Sequence, residues 1–166
     1  TLITDDPDLV RAFRQRHQRV IYKSISGVRS IVQTLQDRDL ARLGHIRWCP
    51  TQFQEFVEGT NVRVHTVGSD VFATAVHTDR TDYRYADQQG GQTELEAVEL
   101  PDELAERCVR LSQTLGLPFA GIDLKMGSDH RVYCFEVNPS PAYSYYEANT
   151  GQPIARAVAR CLAGLA

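Results

Sequence analysis

The sequence predicts a mixed α+β fold in which most strands pair antiparallel. Two short turns, Gly68-Ser69-Asp70 and Gly127-Ser128-Asp129, each separate two β-rich segments, which is the pattern of a β-hairpin. A helix that opens at Pro101, places apolar residues at helical spacing and stops at Gly116 is the third observation. Strands dominate the middle of the chain and helices punctuate it. The four strand segments are 61–67, 71–77, 119–126 and 131–137.

The two ends of the chain add further elements. Asp6-Pro7 combines a capping carboxylate with a proline at the first helical position, which predicts a helix to about Gln18. Strands are predicted at 20–23 and 28–35, and the charged stretch 36–47 is predicted to be a loop because it has no clear period. The polar segment 79–93 is a second predicted loop. A last helix begins near Pro153 and directs inward Ile154, Val158, Leu162 and Leu165.

Composition excludes several classes of protein. The chain has 166 residues, enough for one domain or two small lobes, and its 42% hydrophobic and 23% charged residues are typical of a folded protein. A formal charge of -3 argues against sequence-blind nucleic-acid binding. No apolar run approaches the roughly 20 residues that span a bilayer. The four cysteines are far apart and are expected to be free, mostly buried thiols in a reducing cytoplasm.

The segment 134–141, Cys-Phe-Glu-Val-Asn-Pro-Ser-Pro, carries the densest chemical signal. Side chains alternate along a strand, so Glu136 and Asn138 share one face while Phe135 and Val137 are expected to point into the core. Asp123 interrupts an apolar strand and, if the two strands pair through the 127–129 turn, lies opposite Glu136. Carboxylate and amide oxygens suit Mg²⁺. A hydrogen-bonded strand end with ordinary surface acids is an equally weighted alternative.

Other polar residues give weaker signals. Lys23 precedes a Ser/Gly turn and suits a phosphate, although a solvated lysine is the commoner case. Asn61, Arg63 and His65 share one face of a strand, which most often means a wet sheet face. Arg63 and Arg84 are nonetheless able to clamp an anion. Three tyrosines at 143, 145 and 146 are expected to pack, and neither a Walker A sequence nor a nucleophile elbow is present.

Five motifs in order then give the chain a resemblance to the ATP-grasp superfamily, and within it to the RimK-type glutamate ligases and the graspetide macrocyclases. The resemblance implies two α+β lobes, with mainly antiparallel sheets, that grip a nucleotide. Residues 1–57 would form part of the small lobe and the adenine hinge, and residues 58–166 the large lobe with the metal site. The motifs are VIYK, QEFVEGTNVRV, DYR, GID and FEVNPSP.

The resemblance also implies nucleotide-binding roles, position by position. Lys23 matches the lysine that contacts the phosphates of ATP. Glu55, with the backbone of Phe56 and Val57, matches the hinge that recognises adenine. Asn61 falls where the family usually has an acid that holds ribose, and an amide binds a hydroxyl more weakly.

Catalytic and metal-binding roles carry over in the same way. Arg63 matches an arginine aimed at the γ-phosphate and the acyl group, and Arg84 matches a second catalytic anion contact that also binds nucleotide. Asp123, Glu136 and Asn138 match the ligands of two Mg²⁺ ions, with Mn²⁺ as the alternative ion.

The implied activity is ATP-dependent ligation of a carboxylate to an amine or a hydroxyl through an acyl phosphate. The implied partners are ATP, a carboxylate substrate and an acceptor that is a peptide, a protein or a small amino acid. A homo-oligomer is left open. The family's N-terminal domain and a second ATP-contacting lysine would precede Thr1, so the chain is expected to be the catalytic portion of a longer enzyme. The alternative is a non-catalytic nucleotide-binding or interaction module that keeps the fold.

Overall fold

The computed structural model describes residues 1–25, 31–78, 93–129 and 131–165. Arg84, the Ser26-Gly27 turn and nearly all of the predicted 79–93 loop lie outside these residues. The described chain divides into two units, each treated separately below. The first unit holds the residues up to Val57 together with Thr78, and the second holds Glu58–His77 and the residues from Thr93 onward.

The first unit is a four-stranded antiparallel sheet with helices packed on one face. Its strands lie in the order β1-β4-β2-β3. The core is a cluster of five buried side chains, Val10, Val20, Leu35, Leu43 and Phe53. The elements are β1 (Leu2–Thr4), α1 (Pro7–Arg16), β2 (Val20–Ser24), β3 (Gln33–Thr34), α2 (Asp37–Leu40), a 3₁₀ helix (Leu43–Trp48) and β4 (Thr51–Glu55).

Local sequence explains the start of α1. An Asp6 carboxylate oxygen accepts a hydrogen bond from the backbone N–H of Asp8 at 2.8 Å, and Pro7 occupies the first helical position. The predicted loop 36–47 is wrong, because α2 and the 3₁₀ helix occupy most of it. Their turns are too short for an apolar period, and the buried Leu43 together with the partly buried Ile46 packs the 3₁₀ helix against the core.

The second unit is a five-stranded antiparallel sheet in the order β7-β6-β5-β8-β9. Both predicted hairpins are confirmed, since β5 pairs with β6 and β8 pairs with β9. The prediction missed β7 and α4. The elements are β5 (Thr60–Val67), β6 (Asp70–Thr78), β7 (Thr93–Val98), α3 (Asp102–Thr114), β8 (Phe119–Met126), β9 (Val132–Asn138), α4 (Ser144–Thr150) and α5 (Ile154–Leu162).

The two faces of this second sheet have different chemistry. One face packs on α3 in an apolar core, which contains Val62, Val64, Ala73, Cys108, Ile122 and Leu124. Alternation along β5 and β8 places a polar set on the opposite face, called the site face from here on. Arg63 and His65 on that face are 7% and 0% exposed, so it is not the wet surface that the pattern favoured. The site face carries Asn61, Arg63, His65, Gly121, Asp123 and Lys125.

Three further side-chain predictions are wrong. Phe135 is 44% exposed rather than in the core, because the ladder between β8 and β9 slips by one residue there. Leu162 and Leu165, at the end of α5, are 85% and 69% exposed, and the helix is held instead by Ile154. All four cysteines are free as expected, but those at 49 and 134 are exposed. No helix in the described ranges is both long and apolar enough to span a membrane.

Candidate active site

An ion pair between neighbouring strands forms the centre of the site. Arg63 on β5 lies directly opposite Asp123 on β8, and its Nε is 2.9 Å from Asp123 Oδ1. The two side chains are only 8% and 18% exposed. The Tyr146 ring, whose centroid is 5.6 Å from Arg63 Cζ, closes another side of the guanidinium. A guanidinium held this way is a fixed positive charge in a poorly hydrated setting, where electrostatic effects are strong.

The predicted register between the two acidic strands is confirmed. Asp123 pairs with Glu136, and Gly121 pairs with Asn138, so both β9 side chains join the site face. The Asn138 carboxamide oxygen accepts a hydrogen bond from the Ser140 backbone N–H at 2.8 Å, which fixes the direction of the amide. Two carboxylates and one amide oxygen are hard donors that fit Mg²⁺.

The charges of this donor set favour a divalent cation. Asp123 and Glu136 are both carboxylates, and the Arg63 guanidinium pairs with Asp123. Within the described ranges no group of three or more His, Cys, Asp or Glu side chains converges on a metal-binding geometry.

A lysine that the sequence analysis overlooked extends the site. Lys125 Nζ donates a hydrogen bond to Asn61 Oδ1 at 3.1 Å, across the pair that β8 makes with β5. Burial lowers the pKa of Lys125, and the nearby Glu58 carboxylate opposes that shift. Lys125 follows Asp123 by two residues on β8, so the two side chains lie on the same face of the sheet. Alternation along the strand was therefore the signal that could have predicted Lys125 as a site residue.

His65 is the most deeply buried polar residue of the site face. Its Nε2 lies 3.2 Å from the carbonyl oxygen of Ala142, and its ring packs between Phe119 and Tyr146 at centroid distances of 6.2 and 5.0 Å. A carbonyl only accepts hydrogen bonds, so Nε2 carries a proton in this contact. Burial lowers the pKa of His65 to about 4, with Arg63 adding to the shift and the Ala142 hydrogen bond opposing it.

This burial predicts that acid destabilises the chain. An unfolded histidine titrates near 6.5, so between pH 6.5 and 4 the unfolded chain binds more protons than the folded one. The free energy of unfolding should fall through that window, by about 3 kcal/mol from His65 alone. Urea unfolding at pH 7, 5.5 and 4 tests this. The variant His65→Gln should show a smaller fall, and identical falls for the two proteins would contradict the assignment.

A glycine allows close packing beside the ion pair. A Cβ atom at Gly121 would lie 2.5 Å from Pro141 Cβ and 2.7 Å from Arg63 Nη1, both shorter than real contacts. Gly121 therefore lets the Pro141 ring and the guanidinium approach β8 together. Gly121 belongs to the GID motif, from which no separate role for it was predicted.

The predicted nucleotide-binding residues of the first unit lie on β2 and at the end of β4. Lys23 pairs with Gln52, in alternate phase to Tyr22, which packs against the core. Glu55 contacts His17, with Oε2 and Nδ1 3.2 Å apart.

Phe56, which follows β4, has two contacts with Arg19. Its ring lies 3.9 Å from Arg19 Cζ, and its N–H donates to the Arg19 carbonyl oxygen at 2.9 Å. Of the predicted hinge groups, the Phe56 N–H is thus already used within the protein.

The structure brings most of the predicted second-unit residues to one sheet face and adds several that were missed. Asn61, Arg63, Asp123, Glu136 and Asn138 share the site face. The tyrosine prediction is confirmed for Tyr143 and Tyr146, which pack on Phe119 and His65. The additional residues are His65, Gly121, Lys125 and Pro141.

Similarity to curated proteins is consistent with this geometry. A "Probable alpha-L-glutamate ligase" from Rhodopirellula baltica is 30% identical over 140 residues, which are 84% of this chain and 32% of that protein. One of the same description from Nitrosococcus oceani is 31% identical over 109 residues, 63% of this chain and 35% of that protein. The chain spans about a third of the length of these relatives.

Solved structures show the same fold. The ATP-grasp ligase PsnB, in complex with a phosphomimetic variant of a minimal precursor, Mg and ADP, superposes with a TM-score of 0.82 and 31% identity. That match covers 98% of this chain and 50% of PsnB. The macrocyclase MdnC from Microcystis aeruginosa, bound with its precursor peptide MdnA, has a TM-score of 0.83. It is 23% identical and the match covers 99% of this chain and 56% of MdnC, which supports the fold alone.

The family assignment rests on a match that begins at β2 and continues through most of the second unit. The RimK-like ATP-grasp domain family matches residues 20–162. This range contains Lys23, the β5–β8 ion pair and the FEVNPSP segment. The α+β architecture with two antiparallel sheets agrees with the expected ATP-grasp fold. The chain belongs to the RimK-like ATP-grasp family.

Proposed function

We propose that this chain is the ATP-binding and catalytic part of a ligase that joins a carboxylate to an amine or a hydroxyl through an acyl phosphate. The observation that supports this most directly is the site face. A buried guanidinium, two carboxylates and a fixed amide oxygen lie there on the same face of three neighbouring strands. Family membership supplies the reaction class.

The reaction has two steps. A carboxylate oxygen of the substrate attacks the γ-phosphorus of ATP, the bond from that phosphorus to the β–γ bridging oxygen breaks, and ADP leaves. The amine or hydroxyl then attacks the acyl carbon, loses its proton, and displaces inorganic phosphate. Both steps concentrate negative charge on oxygens, so the protein's main tasks are positioning and charge stabilisation.

Arg63 is suited to that charge. Its guanidinium is held by Asp123 and bordered by Tyr146, so it needs little rearrangement when charge develops nearby. Asp123, Glu136 and Asn138 would hold the metal ions, and bound Mg²⁺ supplies further neutralisation of the phosphate oxygens. The number of ions stays a prediction, as does Mn²⁺ as the alternative.

Nucleotide contacts are proposed on both units. On the first, Lys23 would contact phosphate and the Glu55–Val57 segment would contact adenine. On the second, Asn61 would contact ribose through its amide N–H groups, since its oxygen accepts from Lys125. Arg84 stays a prediction, because it lies outside the described residues.

The substrate class is a carboxylate on a peptide or protein, or a small amino acid. Relatives carry the description alpha-L-glutamate ligase, and PsnB was solved with a precursor. Both descriptions are compatible with an amide product, and a hydroxyl acceptor would give an ester.

The second candidate is a nucleotide-binding module without turnover. The observation in its favour is that Asn61, where the family has an acid, is neutral and already hydrogen-bonded to Lys125. The complete donor set at Asp123, Glu136 and Asn138 favours the ligase instead, since a binding module has no chemical need for it.

Calorimetry and turnover together test the proposal. ATP is titrated into the 166-residue chain with and without Mg²⁺, and ADP release is followed in the protein at its full natural length with glutamate or a glutamate-containing peptide. Magnesium-dependent binding with acceptor-dependent ADP release is expected. Binding without release under any acceptor favours the second candidate. Absence of binding to either form of the protein contradicts both.

A further inference from the structure

The short segment Pro139–Tyr143, which follows the proposed metal-binding strand, is attached to the site face at several points. At its start, the Ser140 N–H donates to the Asn138 oxygen at 2.8 Å. Pro141 then packs so closely over Gly121 that a Cβ there would lie 2.5 Å away. Ala142 offers its carbonyl to His65 at 3.2 Å. The direction of Asn138 thus depends on where this segment lies.

Of these attachments, the hydrogen bond to Ala142 comes from the side chain held most rigidly. His65 is 0% exposed and lies between the rings of Phe119 and Tyr146. Its Nδ1 is buried and accepts no hydrogen bond from the described residues, so Nε2 is the atom through which this imidazole holds a polar partner. Burying a polar imidazole costs free energy unless the ring makes hydrogen bonds. The bond from Nε2 to Ala142 is therefore the interaction that offsets this cost.

His65 also lies close to the catalytic arginine in sequence and in space. Arg63 is two residues before it on the same face of β5. Tyr146 contacts both residues, since its ring centroid lies 5.0 Å from that of His65 and 5.6 Å from Arg63 Cζ. A displacement of His65 would therefore change the position of Arg63 through Tyr146, and the position of Asn138 through the Ala142 carbonyl.

We propose that His65 is a positioning residue of the ligase. Its Nε2–H holds the Ala142 carbonyl and so keeps Pro139–Tyr143 against the sheet, which aims the Asn138 oxygen and the Arg63 guanidinium at their ligands. Its effect on turnover depends on the function proposed above, whereas its effect on the segment does not.

Two substitutions separate positioning from packing. His65→Gln keeps an N–H donor at nearly the reach of Nε2, while His65→Leu fills a similar volume without a donor. Hydrogen exchange is measured by mass spectrometry on the 166-residue chain, in a peptide containing residues 138–146 and in peptides from β5 and β8. The leucine variant should exchange about tenfold faster in the first peptide and unchanged in the others. The glutamine variant should match the native protein.

Turnover supplies the second readout. In the protein at its full natural length, His65→Leu should lower kcat for ADP release about tenfold or more, with KM for ATP changed little. His65→Gln should have most of the native kcat.

A leucine variant with native exchange in residues 138–146 overturns the proposal, as does a leucine variant whose sheet peptides all exchange faster together. If the leucine variant does not fold, His65→Asn, whose amide is too short to reach Ala142, replaces it. If the native protein itself shows no turnover, the ligase assignment is contradicted. The hydrogen-exchange result would then still decide whether His65 positions residues 139–143.

Discussion

Replacement of Glu136 by alanine should lower ADP release at least a hundredfold in the full-length protein. Glu136 and Asp123 are opposite each other on β9 and β8. Without Glu136 the donor set keeps a single carboxylate, and that carboxylate is already paired with Arg63, so the attraction for Mg²⁺ is largely lost. Losing one charge-stabilising contact of this kind typically costs about 2.7–4 kcal/mol of transition-state stabilisation.

Stability and a matched acid make this result specific. Glu136 is an exposed strand residue, so the melting temperature of the variant should change little. Glu94→Ala is the control, because Glu94 is an exposed glutamate of the same sheet, on β7 at the opposite edge. It should turn over at the native rate. Near-native ADP release from Glu136→Ala, with magnesium still required, would rule out Glu136 as a metal ligand.

Gly121→Ala is expected to have the second large effect, although it adds a single methyl group. That group would meet Pro141 Cβ at 2.5 Å and Arg63 Nη1 at 2.7 Å, so the proline ring, the guanidinium or both must move. The guanidinium is restrained by Asp123 and cannot move without weakening the ion pair. We expect about 1–3 kcal/mol of lost stability and about a hundredfold lower kcat, since small displacements of a positioning group are costly.

Denaturant unfolding and steady-state kinetics measure the two effects separately. Gly44→Ala is the matched control, because a Cβ at Gly44 has no heavy atom within 4 Å and its backbone is not in the left-handed region. Its stability and its kcat should stay close to native. A Gly121→Ala protein with native kcat would show that Arg63 and Pro141 can shift without consequence, and would remove the steric argument for this glycine.

Periodicity was sufficient for much of this site. Alternation along two hairpin strands predicted that Glu136 and Asn138 share a face and that Asp123 lies opposite Glu136, and both are observed. The same rule predicts that Asn61, Arg63 and His65 share a face. It says nothing about what covers that face. Alternation therefore favoured a wet surface, whereas Ala142 and Tyr146 bury it from a part of the chain about 80 residues away.

Long-range packing also explains the other failures. Leu162 and Leu165 have helical spacing, but nothing in that spacing reveals that the core ends near Ile154 and Ala157. The role of Gly121 depends on the approach of Pro141, which no local pattern contains. Lys125 could have been predicted from its phase with Asp123, yet its partner Asn61 is 64 residues away in sequence. Roles that depend on a neighbour from another strand need the structure.

The slip in the ladder at Phe135 decides which way the acidic strand presents its side chains. Next to the turn, Met126 pairs with Val132 and Leu124 with Cys134, and an unbroken ladder would continue with Phe135 opposite Asp123. Glu136 would then pair with Ile122, and its carboxylate would point into the apolar layer against α3. The one extra residue in β9 thus shifts the register by one position and brings Glu136 opposite Asp123. The number of residues between the turn and the acid, odd or even, determines whether Glu136 lies beside Asp123 on the site face or becomes a buried, uncompensated charge.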